Sequence, residues 1–130
     1  MQGDPQTCRS RRVAVIDDDA AVLHSLRFLL EVVGCEVATF ASAAAFLAYD
    51  RAWPDCIVLD FHMPRMTGLD LIERLRADRR SGSRPDARIM LVTGSSTPAL
   101  KARAAALGVT VVAEKPPAEA DLLAFVGVCG

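Results

Sequence analysis

This chain has no charge excess to explain. In its 130 residues, 15 Lys and Arg face 16 Asp and Glu, a formal net charge of −1. That balance excludes general attraction to nucleic acid or to an anionic membrane surface. There is no apolar run near the roughly 20 residues that would span a bilayer. The Arg9, Arg11 and Arg12 region is followed by no hydrophobic segment of the signal-peptide kind, so the first residues read as a tail. Cysteine is sparse and unpatterned. Cys8, Cys35, Cys56 and Cys129 fall in no CxxC or other metal-ligand spacing, and neither histidine stands beside one in sequence. Cys35 and Cys56 sit in apolar surroundings as small buried hydrophobes, which fits a reducing cytoplasm. Repeats and low-complexity tracts are missing as well.

What is present is a set of short apolar runs alternating with helical patterns, in a chain that is 52% hydrophobic. Val13–Ile16, Cys35–Phe40, Cys56–Leu59, Ile89–Val92 and Val109–Ala113 read as strands. Between them, Val22, Leu26, Leu29, Leu30 and Val33 recur at helical spacing up to Gly34. Ser42 caps a short helix through Phe46 and Leu47. Leu69, Ile72 and Leu75 mark a third helix. Leu100, Ala104 and Leu107 mark a fourth, closed by Gly108. Leu122, Leu123 and Val126 mark a short last one. Trp53-Pro54 breaks the chain before the third strand, and residues 78–87 form a surface connection. Five strands alternating with helices require an α/β fold: one doubly wound parallel sheet with right-handed crossovers.

The polar residues at the strand ends carry the chemistry. Asp17 and Asp18 follow the first strand, Asp60 the third, Thr93 the fourth and Lys115 the fifth. In a parallel sheet these ends share one edge, where ligands bind. Each pair of like charges at ~4 Å costs about 4 kcal/mol at an effective dielectric of ~20. One lysine cannot neutralise three acids, whereas a divalent cation can. Oxygen ligands without a His or Cys cluster select a hard ion, and a phosphate-handling site favours Mg²⁺. Such an ion holds Asp60 ionised and aligns a phosphoryl group. Lys115 and the Thr93 hydroxyl pair with its oxygens. Asp19 is left to cap the first helix.

These residues resemble a known family. Asp17-Asp18, Asp60 with Met63-Pro64 and Gly68, Thr93, and Lys115-Pro116 together match the receiver domain of bacterial two-component response regulators. The resemblance covers residues 12–126, with 1–11 and 127–130 as tails. Ser42-Ala43 with Phe46-Leu47, and Thr93-Gly94, resemble receivers that precede a helix-turn-helix output module. The resemblance implies a flavodoxin-like sheet of order 2-1-3-4-5. It implies that Asp60 accepts phosphate from a phosphohistidine of a sensor kinase or phosphotransfer protein. It also implies Mg²⁺ held by Asp18, by Asp17 directly or through water, by Asp60 and by the backbone carbonyl of His62. Thr93 is then the switch hydroxyl, Lys115 the phosphoryl-pairing cation, and Lys115-Pro116 a cis peptide. Such a domain is a signalling switch acting on its own aspartate, not a metabolic enzyme. By analogy it pairs with a second copy when phosphorylated, and it does not itself bind DNA.

The sequence departs from the family in two places. Val112 stands where Tyr or Phe is usual three residues before the lysine, and Pro117 replaces a common Phe. Both concern how the signal leaves. Two alternatives remain open at this stage. One is a haloacid-dehalogenase-like phosphatase with Asp17 as nucleophile, disfavoured by Ala21 and by the small size. The other is a degenerate receiver used only for docking. The side chain of His62 is expected to be solvated or, on a sharper reading, to tune hydrolysis. His24 is expected on a helix surface.

Overall fold

Side-chain alternation along the strands divides the hydrophobic residues into two cores, one on each face of the sheet. The computed structural model describes residues 11–49, 54–77, 87–109 and 111–127. The elements, in chain order, are β1 (Arg12–Ile16), α1 (Ala20–Val32), β2 (Glu36–Phe40), α2 (Ala43–Leu47), β3 (Cys56–Asp60), α3 (Gly68–Ala77), β4 (Arg88–Thr93), α4 (Pro98–Ala106), β5 (Val111–Glu114) and α5 (Glu119–Val126). The strands are parallel and ordered β2-β1-β3-β4-β5, as the resemblance implies. Ala14, Ile16, Ile57, Leu59, Ile89 and Leu91 face one core, with Leu69 and Ile72 of α3 and Leu100 and Ala104 of α4. Val13, Val15, Cys56, Val58, Met90 and Val92 face the other, with Leu30 of α1 and Leu122, Phe125 and Val126 of α5. The period of two along each strand produces this division. Strands buried on both faces explain why the sequence shows unbroken apolar runs instead of alternation.

β1 and β4 start one residue earlier than the sequence reading, at Arg12 and Arg88, and two strands start later. β2 begins at Glu36 and β5 at Val111, not at Cys35 and Val109. Both displaced residues finish the preceding helix. The N–H of Cys35 bonds to Leu30 O and that of Gly34 to Glu31 O. The N–H of Val109 bonds to Ala104 O and that of Gly108 to Ala105 O. Each is a Schellman end, with glycine at positive φ: 97° at Gly34 and 86° at Gly108. The apolar residue after the glycine packs back onto its own helix, so it is buried without joining a strand. The caps agree with expectation. The Asp19 carboxylate accepts from the N–H groups of Ala21 and Val22, and Ser42 Oγ accepts from Ala45 N–H. Leu100 and Ala104 belong to the core, and His24 is exposed. Cys35 and Cys56 are free thiols, and burial pushes both above the usual thiol range. No described helix is long and apolar enough to cross a membrane. Residues 1–10 of the expected 1–11 tail, Trp53, residues 78–86 of the expected 78–87 connection and residues 128–130 lie outside the described residues.

Candidate functional site

Strand register brings the distant acids level with one another. Ile16 pairs with Leu59, so the next residues, Asp17 and Asp60, leave neighbouring strands side by side. Asp60 pairs with Val92, which places Thr93 one step further out on β4. Thr93 pairs with Glu114, and Lys115 follows immediately, its N–H bonded to Thr93 O at 2.8 Å.

Alternation then sorts the side chains. Val15, Val58 and Val92 face the α1–α5 core, so Asp17 and Asp60, each two positions beyond one of these valines, point to that side. Lys115 joins them there: its Nζ lies 3.1 Å from Asp17 Oδ2 and 3.2 Å from Asp60 Oδ1. Thr93, two positions after Leu91, has the opposite parity. Its Oγ1 accepts from Ser95 N–H at 3.2 Å and donates to Ser95 O at 3.3 Å.

Asp17 and Asp60 are buried, at 3% and 2% exposure, whereas Asp18 is open to solvent. Their turns are local. Asp17 Oδ1 accepts from Asp19 N–H at 2.9 Å, and Asp60 Oδ1 accepts from His62 N–H at 3.3 Å. Both are the bond that Asp makes two residues ahead in an Asx turn. Burial, then the charge of Asp17, raises the Asp60 carboxyl above its ordinary value, against the lowering influence of Lys115 and the His62 N–H. Burial acts to lower Lys115, but hydrogen bonds to Asp17 and Asp60, with their charges, outweigh it and hold the amine above its usual range.

One oxygen of Asp17, of Asp18 and of Asp60 all lie within 4.8 Å of one another. Asp60 Oδ2 is buried and has no hydrogen-bond partner. A buried carboxylate oxygen left without a donor is costly. Three clustered carboxylates facing one ammonium, with one oxygen orphaned, fit a hard divalent cation. Gly68 supports the same loop from beneath. A Cβ there would come 2.7 Å from Asp60 O and 2.8 Å from Leu91 Cδ1, so α3 can start this close to β3 only with glycine.

The structure thus brings Asp17, Asp18, Asp60 and Lys115 together, while the Thr93 hydroxyl is turned to Ser95. Lys115-Pro116 is cis, as the resemblance implies. The imidazole of His62 is exposed and stands edge-on to Phe61, centroids 4.7 Å apart.

Residues 13–127 match the family described as response regulator receiver domain. The chain belongs to that family. It is 41% identical to transcriptional regulatory protein FixJ of Azorhizobium caulinodans over 117 residues, 88% of this chain and 52% of the relative. The receiver spans about half the length of the curated relatives it matches. Among solved structures it resembles chemotaxis protein CheY4 of Vibrio cholerae, with TM-score 0.79 and 28% identity over 88% of this chain and 94% of that one. It also resembles a Burkholderia pseudomallei response regulator protein described with a phosphorylated aspartic acid, calcium ion and citrate. There the TM-score is 0.76, with 28% identity over 90% of this chain and 66% of the other. As a receiver domain of a two-component response regulator it has a signalling role, and the phosphatase alternative is set aside.

Sequence reasoning missed three participants in this receiver's edge. The His62 N–H was readable from the Asx pattern of Asp60. Ser96 and Glu114 were not: Ser96 N–H and Oγ both donate to Glu114 Oε2, at 3.2 and 3.3 Å, across 18 positions of sequence.

Proposed function

We propose that Asp60 is the phosphoacceptor of this receiver and that Asp17, Asp18, Asp60 and the backbone carbonyl of His62 hold Mg²⁺ beside it. The observation that carries the reading is the orphaned, buried Asp60 Oδ2 within a cluster of three carboxylates. A carboxylate oxygen of Asp60 attacks phosphorus in a phosphohistidine of a sensor kinase or phosphotransfer protein. The P–O bond forms as the P–N bond breaks, and the imidazole nitrogen leaves with the electron pair and takes up a proton. Lys115 offsets charge on the phosphoryl oxygens, and the Thr93 hydroxyl donates to one of them. When bound, Mg²⁺ supplies the remaining neutralisation of the carboxylates and the phosphoryl group. Water later attacks the same phosphorus, returning free carboxylate and inorganic phosphate.

Residues 12–126 form the working unit in this reading, and its compartment is the cytoplasm, where the donor kinase presents its histidine. By likeness to FixJ, the switched surface serves transcriptional regulation, and by analogy with the family a second phosphorylated copy is a partner. The test is exposure to acetyl phosphate with Mg²⁺, followed by mass spectrometry of peptides. A phosphoryl adduct on Asp60, absent from Asp60→Asn, is expected. Full labelling of Asp60→Asn overturns the assignment of the acceptor, and no labelling of the parent overturns the reading and leaves a docking domain.

A further inference from the structure

The β4–α4 loop is fastened from two sides, and the second fastening has no role in the phosphoryl transfer proposed above. Thr93 Oγ1 holds the backbone of Ser95 through both its donor and its acceptor. Glu114, the last residue of edge strand β5, holds the next residue: its Oε2 takes both the N–H and the hydroxyl of Ser96. Glu114 is directly opposite Thr93 in the ladder, and the N–H of Lys115 bonds to Thr93 O. Both anchors of the loop are therefore on backbone that is fixed by the sheet.

We propose that Glu114 is a positioning residue for phosphoryl transfer, a latch on Ser96 that keeps the Thr93 hydroxyl turned to Ser95 and withholds it from Asp60. This inference rests on the assignment of Asp60 as phosphoacceptor. A hydroxyl has one proton to donate. For Thr93 to give that proton to a phosphoryl oxygen, its bond to Ser95 O must be released. Ser95 cannot move freely while Ser96, bonded to it covalently, is gripped twice by a carboxylate. Moving the loop out of the resting arrangement thus requires Glu114 to let go. A ligand that favours the other arrangement must supply that free energy, so removing the latch raises the ligand's apparent affinity. The ordinary reading of Glu114, a solvated acid on an edge strand, predicts no such change. Exposure keeps the effect modest: roughly fivefold, the scale of a solvent-exposed charge-assisted contact.

The experiment uses the full chain with Mg²⁺ and beryllofluoride as the phosphoryl probe, and follows amide NMR signals of ¹⁵N-labelled protein. Glu114→Ala and Ser96→Ala are expected to bind the probe roughly fivefold more tightly than the parent. Both are also expected to label faster with acetyl phosphate. Glu114→Gln keeps an acceptor oxygen at the same reach and is expected to return most of the way to parental affinity. A merely structural role for Glu114 would change melting temperature without this ordering. Parental affinity in both alanine variants, or weaker binding, overturns the latch alone, since Asp60 still responds to the probe. A parent that shows no response to beryllofluoride overturns the phosphoacceptor assignment and the latch with it.

Discussion

Lys115 Nζ stands 3.2 Å from Asp60 Oδ1 although 55 positions separate the two residues in the chain, and the same ammonium lies 3.1 Å from Asp17 Oδ2. It is the cation that lets two buried carboxylates share one strand-end corner. Lys115→Met leaves that pair facing each other without compensation. In chelator the variant should be less stable by about 2 kcal/mol, a buried-pair loss discounted because the lysine is itself partly solvated. Urea denaturation with EDTA measures it. Adding Mg²⁺ should recover part of the loss, because the ion then takes over the neutralisation.

The second prediction concerns pH. The Asp60 carboxyl is held above its ordinary value, first by burial and then by Asp17. An acid with a raised folded-state value binds its proton more tightly in the folded than in the unfolded chain. Its stabilising contribution is complete below the ordinary carboxylate range and is lost as pH rises through the raised value. Asp60→Asn removes that loss. Without divalent ions, Asp60→Asn should melt a few degrees above the parent near pH 7, with the gap closing toward about pH 4. A gap that widens on acidification would contradict the assigned direction.

The third separates metal binding from folding. Asp18 is exposed and holds none of the fold's contacts described above. Asp18→Asn should leave stability in chelator within about 0.5 kcal/mol of the parent. It should also abolish the rise that Mg²⁺ produces in the parent, about 1.4 kcal/mol when the ion is at tenfold its dissociation constant. Melting curves with and without Mg²⁺ for both proteins decide it.

The fourth addresses the approach of α3 to the acceptor strand. Gly68→Ala would place a methyl 2.7 Å from Asp60 O and 2.8 Å from Leu91 Cδ1. Backbone cannot yield as a flexible side chain does, so a loss of about 1–3 kcal/mol is expected in chemical denaturation. Acetyl-phosphate labelling should slow as well, because the displaced atom belongs to Asp60 itself.

Some of this could be read from residue order alone. An apolar run that ends in Asp announces a strand buried on both faces with its polar end at the rim, and Gly34 and Gly108 announce helix ends. The reading erred where burial and strand formation part company. Cys35 and Val109 are apolar and buried, yet their N–H groups close the preceding helices. Run length cannot distinguish a residue packed by a helix terminus from one paired in a ladder.

The chain order of apolar runs and the residue types at their ends determined the parallel sheet, its rim of acids and the lysine, because those are consequences of local periodicity and charge. Tertiary structure alone decided which of these residues meet. Parallel register set Asp17 level with Asp60, and alternation turned Lys115 toward them but Thr93 toward Ser95. The closing of β5 against β4 delivered Glu114 to Ser96. Hydrogen bonds between strands fix such meetings, and no spacing along the chain records them.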